Sequence, residues 1–299
     1  MNLTSPSQVK AWCIKHDFHP NKVLGQNFLI DRNALEAIVD AGLEGLEGLG
    51  GLGGLDGLGG LGGLDGSGGL GGLDVLEIGP GLGVLTEEML RRGVRVTAVE
   101  KDPVLAARLK ESLGNPANLT VIAGDALDVL SHQTTQTSQT FQTFSCMVSN
   151  LPYQAGTRIL LELVQRREIP SMTVLVQTEV AERLAAGPGS KTRGLAGVWA
   201  QLDYDVKIVR KVSASCFWPR PEIGSSVVKL VRHDRNIDVS EDERDVFRRL
   251  TKQAFEHRRK QLGSIFKDMI QSTARAEELS NEDWLALVRG LNEQKNENT

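Results

Sequence analysis

A chain of 299 residues with 40% hydrophobic content can bury a normal core, and fits one large domain plus a small one or two medium ones. A net charge of −4 excludes a chain that is basic throughout, so any nucleic-acid surface must be local. Cys13, Cys146 and Cys216 lie far apart without metal-ligand spacing, the N-terminal stretch has no long apolar core, and no apolar run approaches a membrane span; the expectation is a reduced cytoplasmic protein with no signal peptide, no membrane association and no metal.

In chain order, residues 6–17 read as a short amphipathic helix with Val9, Trp12, Cys13 and Ile14 on one face. A loop containing Gly25 and Asn27 follows, and Asp31 is placed to cap a helix over 32–41. From Gly42 to Asp74 the chain is nearly pure Gly and Leu punctuated by Asp, in triplets. Without proline it is no collagen, and the backbone entropy of glycine opposes helix or strand, so an expanded mobile loop is expected. Order then returns. DVLEI (74–78), RVTAVE (95–100) and LTVIAG (119–124) read as strands, separated by helices at 84–92 and 103–113. Residues 133–144 are a polar low-complexity insert, MVSN (147–150) ends a fourth strand, and a helix (156–168), a strand (173–177) and a helix (179–186) follow. Strands at 203–212 and 225–232 have no helix pattern between them. The alternation predicts a doubly wound α/β sheet, and the last pair an antiparallel, hairpin-like edge. From about Asp238 the pattern is purely helical, which predicts a small all-helical C-terminal domain over 238–299 after a main domain over 1–237.

Three motifs carry chemistry. In VLEIGPGLG (75–83) a strand runs into a turn built by Gly79, Gly81 and Gly83, which lets backbone approach a nucleotide cofactor closely. The spacing is GxGxG, not the GxGxxG of dinucleotide binders. Glu100 ends the next strand, where a carboxylate can hold ribose hydroxyls. In GDAL (124–127), Asp125 either accepts from an adenine amino group or caps the next turn. In NLPY (150–153), beyond the fourth strand, the Asn150 amide oxygen and the Leu151 carbonyl can accept from a target amine, and Pro152 fixes the turn. Tyr153 offers a ring to a flipped base. This set suits transfer to a base amine and does not suit hydride transfer.

VLGQNFLID, VLEIGPGLGVLTEEML, VTAVEKD, GDAL, SNLPYQAGTRIL, VQTEVAERLAAGPGSKTRGLAGV, CFWPRPEIGSSVVKL and AFEHRRKQL together resemble the ribosomal RNA adenine dimethyltransferase family, most closely its small-subunit branch. The likeness runs from about residue 21 to 290, interrupted by the two inserts. It implies a Rossmann-like class I methyltransferase sheet and S-adenosyl-L-methionine as cofactor. It implies cofactor contacts at Asn27, Leu29, Gly79 and Gly81, with Glu100 on the ribose, Asp125 on the adenine, and Asn150 between methyl donor and target amine. Tyr153 and Phe217 would sandwich the target adenine. The implied reaction places two methyls on each of two adjacent adenines in the 3′-terminal hairpin of 16S rRNA, within the small ribosomal subunit or its precursor, by a monomeric enzyme.

Positive charge clusters at Arg248, Arg249, Lys252, Arg258, Arg259 and Lys260, on or near one helix, and Arg193, Arg210, Lys211 and Arg220 extend it. Such a run is either a solvated face or an RNA contact; against an acidic chain the second is favoured. The chain departs from the family pattern in its Gly-Leu repeat, and in carrying Gly263 and Ser264 where the family has Asn after the basic triplet. Competing readings are the sister branch that dimethylates 23S rRNA, a non-catalytic ribosome assembly factor, and a nicotinamide dehydrogenase. The GPGSKTRG segment and NLPY favour the small-subunit branch.

Overall fold

The computed structural model describes residues 1–21, 24–46, 70–131 and 144–297. Most of the Gly-Leu repeat and of the polar insert lies outside them, so the expectation of a mobile repeat falls outside the described residues. Its flanks are ordered, with Leu46 and Leu70 packed against the core.

A seven-stranded sheet organises the chain. Its strands are β2 (Asp74–Ile78), β3 (Arg95–Glu100), β4 (Leu119–Ala123), β5 (Cys146–Asn150), β6 (Ser171–Gln177), β7 (Tyr204–Val212) and β9 (Ser225–Arg232). They lie in the order β4-β3-β2-β5-β6-β9-β7. Pairing is parallel from β4 through β6; β9 runs antiparallel to both β6 and β7. The expected antiparallel hairpin at one edge is therefore present, with β9 inside and β7 outermost. A separate pair joins β1 (Phe28–Leu29) to β8 (Phe217–Trp218), with Leu29 opposite Phe217.

Both faces of the sheet are covered, because successive side chains on a strand point to opposite faces. Val75, Cys146, Val148 and Leu175 enter one core with α1 (Pro6–Lys15), α2 (Arg32–Leu43), α3 (Val84–Arg91) and α4 (Pro103–Ser112). Leu76, Ile78, Met147, Met172 and Val174 enter the other, with α5 (Ala126–Ser131), α6 (Gly156–Arg166), α7 (Thr178–Ala185) and Ala200 of α8 (Leu195–Asp203). A third core holds α9 (Glu241–Glu256), α10 (Leu262–Phe266) and α11 (Asn281–Glu297) together around Phe247, Leu262 and Trp284. Val198 and Leu202 of α8 belong to this third core, so the C-terminal helices share packing with the sheet unit. The join is pinned by buried Arg244, whose guanidinium donates to Asp203 at 2.7 Å and to the carbonyls of Val239 and Asn236.

Local chemistry sets the helix starts. Asp31 accepts from the Ala34 N–H at 2.8 Å, Asp102 caps α4 ahead of Pro103, and Ser240 with Glu243 forms a capping box on α9; each satisfies N–H groups that a helix leaves unpaired.

Several expectations are corrected. Ile14 is 82% exposed while Val9 and Cys13 are buried, because a turn of about 100° per residue carries Ile14 off the stripe that Val9, Trp12 and Cys13 share. Gly42 and Leu43 continue α2 instead of starting the loop; a Cβ on Gly42 would meet Val148 at 2.4 Å, so close packing on β5 selects glycine there. Phe144, read as part of the polar insert, is buried in the second core. Helix α8 has no counterpart in the sequence reading: its buried Gly197 lies so close to α7 that a Cβ would meet the Arg183 carbonyl at 2.4 Å, and LAGVWA, with a glycine inside it, does not announce a helix. Trp12 and Trp199 are partly buried and Trp284 is fully buried.

Candidate active site

The carboxyl ends of β2 to β5 converge on one cavity of about 310 Å³, the position where doubly wound sheets bind ligands. Its wall contains Asn27, Leu29, Gly79, Gly81, Glu100, Asp125, Asn150, Leu151, Pro152 and Tyr153. Ten of the site residues read from the sequence are thus brought together.

The glycine turn is steric in origin. Gly79, Gly81 and Gly83 have φ of +70°, +60° and +90°, which side chains rarely tolerate. A Cβ on Gly81 would stand 3.1 Å from the Phe28 ring, and one on Gly83 2.6 Å from Leu109. The turn thereby exposes backbone to the cavity. Glu100, 6% exposed, braces it: its carboxylate accepts from the Gly81 N–H and the Asp102 N–H, each at 2.9 Å. Burial raises its pKa, opposed by these backbone hydrogen bonds. Glu77 also lines the cavity. It is 1% exposed, accepts from the Thr86 hydroxyl at 2.6 Å, and is pushed up to about 8, first by burial. Nothing in the sequence reading singled it out. An acidic residue in the fourth position of DVLEI, between apolar Leu76 and Ile78, was the available signal.

Asp125 caps the next turn, the second of the two readings given for it, and also carries an ion pair that the sequence did not suggest. One oxygen caps the next turn through the Leu127 N–H at 2.9 Å, and the other accepts from Lys101 at 2.6 Å. That lysine holds the carboxyl below its usual range, and Asp125 still lines the cavity. The Asn150 side chain is fixed: its Nδ2 donates to the Asn27 carbonyl at 3.2 Å, which assigns Oδ1 as the free acceptor end. Asn27 in turn donates to the Gly25 carbonyl at 3.1 Å. Gly25, with φ +65°, packs so tightly on NLPY that a Cβ would lie 3.1 Å from the Tyr153 nitrogen. The Tyr153 hydroxyl shares a 2.6 Å hydrogen bond with buried Ser225 of β9.

One expected site residue is not on the cavity wall, and one residue expected in the basic patch is buried. Phe217 is 2% exposed in the first core and lies outside the wall, on β8 where it pairs with Leu29 of β1. Arg193 is 1% exposed and belongs to no basic patch. Its guanidinium donates to the Ala186 carbonyl, to Gln201 and to Asn281, fastening the 186–194 loop to α11. The remaining basic residues divide. Arg248 pairs with Asp245 at 2.6 Å and Arg258 with Glu277 at 3.6 Å. Arg249, Lys252, Arg259 and Lys260 are exposed and have no ion pair among the described residues. Gly263, where an Asn was expected, sits against backbone: a Cβ would be 2.9 Å from the Ser272 carbonyl. No cluster of metal-ligating side chains and no helix long and apolar enough to cross a membrane occurs among the described residues.

A doubly wound sheet whose inserted antiparallel strand lies one place from the edge, with a glycine turn, a row of carboxylates and an Asn-Pro turn at its strand ends, defines a methyltransferase-type nucleoside site. The model of the family described as ribosomal RNA adenine dimethylase matches residues 17–291. The chain is 40% identical over 228 residues to ribosomal RNA small subunit methyltransferase A of Deinococcus radiodurans, covering 76% of this chain and 67% of that one. It is 35% identical to the protein so named in Alkaliphilus oremlandii, covering 87% and 82%. A dimethyladenosine transferase structure from Plasmodium falciparum superposes with a TM-score of 0.68 at 21% identity, covering 89% of this chain and 98% of that one. The structure of the 23S rRNA methyltransferase ErmE gives 0.61 at 21% identity, covering 89% and 100%. The chain belongs to the ribosomal RNA adenine dimethylase family. It is an rRNA adenine dimethyltransferase with S-adenosylmethionine as its methyl donor.

The cavity fits that donor. Its glycine turn leaves room for a nucleoside against backbone, and Glu100 and Asp125 supply carboxylates toward a ligand carrying sulfonium and ammonium charge.

Proposed function

We propose that this chain dimethylates the N6 amines of two adjacent adenines in the 3′-terminal hairpin of 16S rRNA, as a cytoplasmic monomer acting on the small subunit or its precursor. The names of its relatives support the small-subunit substrate. The observation that carries the chemistry is the locked Asn150 amide, whose acceptor oxygen is left for the cavity by the bond to Asn27.

The roles follow from the wall. Glu100 holds the donor's ribose hydroxyls and Asp125 its adenine amine, while Asn27, Leu29, Gly79 and Gly81 enclose it. When bound, S-adenosylmethionine supplies an electrophilic methyl on a sulfonium. The adenine amine is a weak nucleophile because its lone pair is delocalised into the ring. Asn150 Oδ1 and the Leu151 carbonyl accept its N–H bonds, orient the remaining lone pair, and favour the positive charge that grows on nitrogen. Pro152 holds the turn in shape. Tyr153 gives the flipped base a stacking face. Phe217 offers the second face only if the packing of β8 yields, so Tyr153 carries the stacking first. No strong base is needed; the proton leaves to solvent after transfer. The helical segment 238–299 adds RNA contact, with Arg249, Lys252, Arg259 and Lys260 as its uncommitted charges and Arg248 and Arg258 behind them.

Single-turnover methylation of small-subunit particles tests this. Asn150→Ala should slow transfer by roughly 10²–10³-fold, the value of one preorganised polar group aimed at developing charge, with the fold checked by circular dichroism. A wild-type rate in that variant sinks the assignment. Offering purified small and large subunits in parallel decides the branch: labelled methyls on 23S rRNA would transfer the chain to the sister activity.

A further inference from the structure

The cavity poses an electrostatic problem for an RNA substrate. Glu100 and Asp125 both line it, and a base entering beside Tyr153 drags its flanking phosphates to the same mouth. Two cations belong to the wall, Lys101 and Arg158. Lys101 is committed to Asp125 at 2.6 Å. Arg158 is exposed and makes no hydrogen bond or ion pair among the described residues; its charge registers only as a weak influence on Asp125.

We propose that Arg158 is a substrate-positioning residue that grips a backbone phosphate of the RNA next to the flipped adenine. It stands in the first turn of α6, five residues beyond Tyr153 on the same rigid stretch. The helix is anchored by buried Ile159, Leu160 and Leu163, so the side chain projects from a fixed base. A guanidinium is charged at every working pH and matches a phosphate bidentately. A lysine in its place keeps the charge and loses the fork. The inference rests on the proposed site, because it needs the base to enter beside Tyr153.

Binding of small-subunit particles to the full chain, without cofactor and across a salt series, tests it with Arg158→Ala, Arg158→Lys and Arg158→Glu. Arg158→Ala should weaken binding roughly tenfold at low salt and flatten the salt dependence by up to about one unit of slope. Arg158→Lys should fall between, Arg158→Glu should be weakest, and KM for particles should rise more than kcat falls. Affinity for S-adenosylmethionine, measured by calorimetry, should be unchanged. Wild-type affinity and slope in Arg158→Glu would overturn the proposal, as would a matching loss of cofactor affinity, which would place Arg158 on the donor through Asp125. Because binding is read without methyl transfer, this failure is separate from that of the active-site reading, which Asn150→Ala decides.

Discussion

Replacing Glu77 with glutamine removes one ionisable group from the cavity wall and keeps an oxygen for the Thr86 hydroxyl. In the native chain this carboxyl is pushed up to about 8, by burial first and by the charge of Glu100 after the opposing hydrogen bond from Thr86. An unfolded chain returns it to its ordinary value of 4.5. Between those values the folded protein holds a proton that the unfolded chain has released. The stability linked to Glu77 is therefore complete below about pH 4.5 and is lost as pH climbs toward 8. A displacement of that size corresponds to at most about 5 kcal/mol between the two protonation states. The variant has nothing to titrate there. Wild type and Glu77→Gln should melt alike near pH 5, and the variant should melt higher at pH 8.5, by about 2–4 °C for each kcal/mol. Thermal melts of the cofactor-free proteins by circular dichroism from pH 5 to 9 read this directly, because the other titrating groups are common to both chains. Parallel melting curves across that range would refute the reasoning and show Glu77 ionised in the folded chain.

Glu100→Ala should weaken S-adenosylmethionine binding by about 1–3 kcal/mol in calorimetry, since it strips the ribose of its acceptor and frees the Gly81 and Asp102 N–H groups together; unchanged affinity would remove Glu100 from the site. Neutralising Arg249, Lys252, Arg259 and Lys260 should flatten the salt dependence of RNA binding by up to about one unit per lost contact, whereas Arg248→Ala and Arg258→Ala should do less because their charges are already paired. An equal effect from all six would show that those ion pairs open on binding. Asp203→Ala should cost about 3–5 kcal/mol in urea unfolding by leaving Arg244 charged and buried; a loss below about 1 kcal/mol would mean that the carbonyls of Val239 and Asn236 suffice.

The strands of this protein were legible because strands favour short stretches rich in β-branched and apolar residues, and DVLEI, RVTAVE and LTVIAG supply them between turn residues. The glycine turn, Glu100, Asp125 and NLPY were legible for a related reason: each stands at a strand end, and strand ends in this topology share one crevice. Helix α8 escaped because its identity depends on packing against α7 at Gly197, a contact between segments that local propensity cannot see. Arg193 and Arg248 escaped differently. A composition-based patch counts every arginine alike, and only the fold separates one that is buried and bonded to Ala186, Gln201 and Asn281 from one already neutralised by Asp245 and from those left to solvent.

The sequence by itself determined the succession of the seven sheet strands, the doubly wound class and the row of site residues at the strand ends, because periodicity, glycine and proline act within a few neighbouring positions. The tertiary structure alone decided which way Asn150 points, since a carbonyl 123 positions earlier accepts its amide hydrogen. It alone put Glu77 into the cavity wall with its pKa pushed up by burial, buried Phe217 in the first core, and left Arg158 on that wall without an ion pair among the described residues. Burial, charge pairing and hydrogen-bond direction depend on groups brought together from distant parts of the chain, and no local pattern encodes them.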